Sequence, residues 1–104
     1  MSKSAIEEAL AFQLRTAGVP FEREVRFHPP RKWRLDFVID GTLAVEVEGG
    51  VYTNGRHTRG KGFTDDCEKY AEAVISGLTV MRVTGAQVNS GEALGWILRA
   101  TGRE

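Results

Sequence analysis

Apolar positions recur along this chain with two different periods. Ile6, Leu10, Leu14 and Ala17 return at helical spacing until Gly18 and Pro20 stop the run, and Ser4 followed three residues later by Glu7 has the form of a capping box. The pattern predicts a first helix over residues 4–17. Three β-rich segments follow: EREVRF from Glu22, KWRLDFVID from Lys32 after a break at His28-Pro29-Pro30, and LAVEVEGG from Leu43. Asp40-Gly41 between the last two is a hairpin dipeptide, so these strands are expected to pair antiparallel within a meander. Residues 51–62 carry three Gly, three basic side chains and His57 with little apolar periodicity, which reads as a loop. From Phe63, the positions Cys67, Tyr70 and Val74 mark an apolar helix face ending at Gly77, and Cys67 is expected to be buried in it. LTVMRVT, from Leu78, is nearly continuous and predicts a strand covered on both faces. A last helix from about Gly91 to Ala100 puts Leu94, Ile97 and Leu98 on one side, with Ser90 as its N-cap. The order α-β-β-β-α-β-α combines a hairpin with a helical crossover, the mark of an α/β fold with a mixed sheet flanked by helices.

The length of 104 residues suits one domain, since two separate cores would each be too small to offset the entropy of folding. Acidic and basic residues both number 14, so net charge exerts no global pull toward nucleic acid or membrane. Any polyanion site must arise from local patterning. The single Cys67 excludes an internal disulfide framework and a Cys-based zinc site, and it suits a reducing cytoplasm. The opening MSKSAIEEAL places two carboxylates where a signal peptide needs an apolar run, and no segment nears the ~18 apolar residues of a membrane span. The expectation is a soluble, cytoplasmic protein without membrane contact.

The chemistry concentrates in the second and third strand segments. Glu46 and Glu48 are two apart on a strand, so they project from one face, and the Asp40-Gly41 hairpin brings Asp36 alongside. Clustered carboxylates near a core repel each other and resist desolvation unless a cation lies between them. An oxygen-only cluster suits Mg²⁺ or Mn²⁺, and such a metal would bind a phosphate. The alternative is a solvated sheet face on which Glu46 and Glu48 pair with Arg34 or Lys32. Arg23, Arg26, His28, Arg31, Lys32 and Arg34 precede the acidic centre and Arg56, Arg59 and Lys61 follow it, an arrangement that would hold a nucleic-acid backbone on both sides. Trp33 and Tyr52 would stack on bases, or Trp33 would belong to the core.

This element order, with Asp36 on the second strand and Glu46-x-Glu48 on the third, resembles the PD-(D/E)XK nuclease superfamily. The run from Arg34-Leu-Asp36-Phe through Glu46-Val-Glu48-Gly-Gly, His57, Asp66, Lys69 and Val80-Met-Arg82-Val83 is similar to small bacterial and phage endonuclease-like proteins related to very-short-patch repair endonucleases. The likeness spans roughly Glu7 to Leu94. It implies a single-domain restriction-endonuclease-like fold, DNA as substrate, Mg²⁺ or Mn²⁺ held by Asp36, Glu46 and Glu48, and residence in a bacterial or phage-infected cell. Two positions depart from the motif: Leu35 stands for its Pro, and Glu48 for its Lys. Glu48 would then be a third ligand or a base. The missing cation would come from Lys69 on the following helix, or from His57 or Lys61. His57 matches a general acid or phosphate contact in related enzymes, with a plain surface His as the alternative. Glu7 matches an additional carboxylate that binds metal through water, with the capping box as its alternative role, and Asp66 would be an outer-shell ligand or a surface ion-pair partner. A homodimer would pair two sites for double-strand or junction cleavage, whereas a monomer would nick. Two other readings stay open: a catalytically inactive nucleic-acid-binding module of the same fold, and a protein-interaction domain whose acidic cluster is surface decoration.

Overall fold

The computed structural model describes residues 2–49 and 60–104, so Tyr52, Arg56, His57 and Arg59 lie outside the described residues. Helix α1 spans Lys3–Thr16 and is capped by Ser2, whose hydroxyl accepts the Ala5 N–H at 3.1 Å. The cap thus falls two residues before Ser4, and Glu7 is not its partner. Ile6, Leu10 and Leu14 are buried as the periodicity predicts and Ala11 joins them, whereas Ala17 is exposed at the C-cap.

Strands β1 (Glu22–Arg26), β2 (Arg34–Ile39), β3 (Leu43–Glu48) and β4 (Thr79–Thr84) make one sheet in the order β1-β2-β3-β4. The first two pairings are antiparallel and the third is parallel, as the mixed-sheet expectation requires. The β2–β3 turn has positive φ at both Asp40 (56°) and Gly41 (69°), the backbone that a two-residue hairpin favours, and the Thr42 N–H closes it on the Ile39 carbonyl. The connection from β3 to β4 includes α2 (Gly60–Ile75), and α3 (Gly85–Asn89) and α4 (Glu92–Ala100) follow β4.

The main core lies on one sheet face, where Phe37, Ile39, Val45, Val47 and Val83 meet Ile6, Leu10 and Leu14 of α1, Val88 of α3 and Ile97 of α4. A smaller cluster of Leu35, Val38 and Ala44 forms on the other side with Val25, Phe27, Leu78 and Val80 packed against it. Among the described residues, no helix is long and apolar enough to cross a membrane.

Four local expectations change. Strand β4 is an edge, so Val83 is its one fully buried residue instead of both faces being covered. Helix α2 begins at Gly60, and of its apolar residues Phe63, Val74 and Ile75 are exposed, as is Cys67. Tyr70 does turn inward, but beside Asp66, Lys69 and Ala73, because the helix lies over a polar cleft. The short helix α3 escaped the periodicity; it is set by a capping box of Thr84 and Gln87. Ser90 ends α3, and α4 is capped by Gly91 in the left-handed region, while the Ser90 hydroxyl still accepts the Glu92 N–H at 3.2 Å.

Candidate active site

The site grows from an interruption of the sheet at Asp36. Backbone pairing of β2 with β3 runs from Ile39↔Leu43 to Phe37↔Val45 and goes no further. There the side chains take over the orphaned amides: the Asp36 N–H donates to Glu46 Oε2 at 2.6 Å, and the Val47 N–H donates to Asp36 Oδ2 at 2.9 Å. On the other flank, Glu24 falls between the Arg23↔Phe37 and Val25↔Leu35 pairs with a φ of 51°, a left-handed conformation that is costly for a non-glycine residue. Both neighbours of β2 are therefore distorted around one carboxylate. The outcome is a cleft of about 210 Å³ with Asp36 and Glu46 in its wall.

Glu46 is 3% exposed. Lys69 of α2 donates to its Oε1 at 2.5 Å, and the Tyr70 hydroxyl lies 3.4 Å from the same oxygen. Burial pushes the Glu46 carboxyl above the usual range. The bonds from Lys69 and the Asp36 N–H pull it back, but the Asp36 charge adds to the rise and the net direction is upward. Tyr70 is driven far upward by burial first and then by the charges of Glu46, Glu48 and Asp66, so it stays a neutral phenol. The cations of Lys69 and Arg82 lie 5.5 and 5.1 Å from the centre of its ring.

From α1, the Lys3 ammonium reaches Asp36 Oδ1 at 2.9 Å and Glu7 Oε2 at 3.1 Å. Burial lowers its pKa, yet its bonds to the two carboxylates outweigh that and leave it raised. Glu7 is also held by Arg23 at 3.4 Å, and Arg23 binds Glu8 at 2.7 Å. Glu7 therefore faces the site and not the helix cap.

The structure brings together Asp36, Glu46, Glu7 and Lys69 among the residues singled out from sequence, with Asp66 also lining the cleft. Glu48 lines the cleft with them, and its Oε1 lies 2.5 Å from the Arg82 guanidinium. Glu7 is joined to this group through Lys3. Among the described residues, no three Asp, Glu, His or Cys side chains form a ready cation cage. Neither Glu46 nor Glu48 pairs with Arg34 or Lys32; Arg34 meets Glu24 at 3.4 Å instead.

The basic residues spread over the β1–β2 ribbon. Arg26 and Arg34 are direct cross-strand partners, a like-charge pairing that a polyanion would relieve. Arg31 stacks 3.8 Å above Trp33 and pairs with Glu68 of α2 at 3.3 Å, while Trp33 stacks on Phe27 and His28. Trp33 is half-buried in this stack, and Lys32 is exposed beside it. Lys61 pairs with Asp65 one turn on. Sequence reasoning missed Lys3, Tyr70 and Arg82 as site residues. The i,i+4 spacing of Lys3 and Glu7 was a usable signal. Arg82 depends on the parallel register of β3 and β4, which no local pattern reveals.

No protein-family model matches the chain, and no curated protein matches it. Among solved structures it is similar to the catalytic domain of the homing endonuclease I-Bth0305I, at 18% sequence identity and a TM-score of 0.64, over 90% of this chain and 89% of that one. The likeness extends over the sheet and its flanking helices, so this chain has an α/β fold shared with an endonuclease catalytic domain.

Proposed function

We propose that this chain is a Mg²⁺- or Mn²⁺-dependent endodeoxyribonuclease of the PD-(D/E)XK type. The observation that carries the reading is the pair Asp36 and Glu46, fixed by backbone amides at a break in the sheet, with a lysine on the buried member. A binding fold has no need to desolvate a carboxylate in this way, whereas active sites do. The donor set fits a hard cation, since it is oxygen-only and opens into a cleft. Asp36 and Glu46 would hold the metal, with Glu48 as third ligand or base and Glu7 in an outer position. When bound, the metal supplies charge neutralisation at the phosphate and a more acidic water.

The chain's own groups do the rest. Lys69, 15% exposed and fixed by Glu46, would substitute from α2 for the missing motif lysine, orienting the attacking water or steadying the phosphate. Tyr70 donates to the same Glu46 oxygen as a neutral phenol. Arg26, Arg31, Lys32, Arg34 and Lys61 would grip the DNA backbone, joined by Arg56, Arg59 and His57. With no net charge behind them, that grip should weaken steeply with salt. The likeness to an endonuclease catalytic domain supports the same reading.

The test is incubation with supercoiled, single-stranded, mismatched and four-way-junction DNA in Mg²⁺ or Mn²⁺, with a chelator control. Cutting that stops on chelation supports the proposal, and the preferred substrate narrows the role. Intact DNA throughout, with no heat of Mn²⁺ binding, would leave an inactive binding module. Lys69→Met is expected to slow cleavage by about a hundredfold or more, the usual worth of a positioned proton-transfer group, while DNA binding by fluorescence anisotropy stays close to wild type.

A further inference from the structure

Four cations serve the acidic cluster, and they differ in their freedom to leave. Lys69 is 15% exposed and Arg23 28%; Arg82 is 46% exposed but holds only Glu48, whereas the Lys3 side chain is 47% exposed and reaches both Asp36 and Glu7 from the first turn of α1. Its ammonium sits about 3 Å from one oxygen of Asp36 and one of Glu7, which is how a shared cation sits between two carboxylates. The stem is fixed by contact. A Cβ added to Gly49, at the end of β3, would fall 2.6 Å from Lys3 Cβ and 3.3 Å from its Cα, so the helix start rests directly on the strand that carries Glu46 and Glu48. Only the outer part of the side chain is free to swing.

We propose that Lys3 is a displaceable counter-ion: it offsets part of the charge of Asp36 and Glu7 in the metal-free protein, and a divalent cation must expel it to bind there. This rests on the metal-dependent reading above and adds a threshold to it. One position between two carboxylates cannot hold two cations, because they would repel at short range in a partly desolvated cleft. Lys3 therefore subtracts from the affinity for the metal and lowers the site's negative charge until enough metal is present. Arg23 keeps its hold on Glu7 throughout, through the other carboxylate oxygen.

The experiment is calorimetric titration of the intact chain with Mn²⁺ alone, at fixed pH and ionic strength, for wild type, Lys3→Met, Lys3→Gln and Lys3→Arg. Removing two partly exposed ion pairs should tighten Mn²⁺ binding about threefold to tenfold in the Met and Gln variants, and the Arg variant should stay near wild type. The Gln variant decides the matter if the Met variant melts early. Equal or weaker binding in the neutral variants overturns the counter-ion role while leaving the metal site intact. No Mn²⁺ binding in any of the four overturns it too, and also counts against the metal-dependent reading.

Discussion

Asp36→Asn and Glu46→Gln are each expected to reduce metal-dependent DNA cleavage by about a hundredfold to a thousandfold, the scale on which a site loses one preorganised electrostatic group. Neither should unfold the protein. Asn keeps an oxygen to accept the Val47 N–H, and Gln keeps one for the Asp36 N–H, so the two bonds that close the broken ladder survive. For Glu46 the effect on stability should even run the other way. Its carboxyl titrates higher in the fold than in the unfolded chain, so the fold binds that proton more tightly. The stability tied to this group is complete in acid, below the ordinary glutamate range, and is lost as pH rises through the raised folded value. Glu46→Gln removes that loss. Its melting temperature should match or exceed wild type at neutral pH, and the difference should vanish in acid. Thermal melts across that range check it. A variant that melts far below wild type at neutral pH would mean that the ion pair with Lys69 outweighs burial.

Phe37→Ala should do the opposite, removing the fold and the activity together. Phe37 is among the largest fully buried side chains, adjoins Asp36, and meets the Phe21 ring at 5.5 Å and the Arg23 guanidinium at 5.3 Å. Truncating a buried Phe costs about 3–5 kcal/mol. That is a large share of the roughly 5–15 kcal/mol that holds a small domain together. Urea denaturation should show the midpoint collapse, and a loss below about 1 kcal/mol would show that the neighbours refill the space. The two experiments together separate residues that spend stability on chemistry from the neighbour that supplies it.

The strands were legible because their signals are local. Asp40-Gly41 fixed the β2–β3 turn, the parity of Glu46 and Glu48 fixed their face, and the hairpin then had to bring Asp36 beside them. Helix α1 was legible for the same reason, although its cap was misplaced: Ser2 and Ser4 are both good N-caps, and what decides between them is that Glu7 is taken by Lys3 and Arg23. Helix α2 was read only partly right: Tyr70 turns inward as expected, and Lys69 and Asp66 reach the site, but Cys67 and Val74 are exposed. Periodicity assumes that the apolar side turns inward, and here a polar cleft reversed the preference. The pull of Arg82 on Glu48 was invisible for another reason, since it depends on a register set across more than thirty residues of chain.

Helix α2 carries Lys69 and Tyr70 to the cleft, yet Ala73 is its one fully buried residue. An element anchored so lightly opens at a small fraction of the global unfolding free energy, and its amides should exchange with solvent well before those of α1, β2 and β3. Folded molecules and molecules with an assembled site are then two different populations. A substitution on α2 can empty the second while a melting curve, which reports the core, records no change.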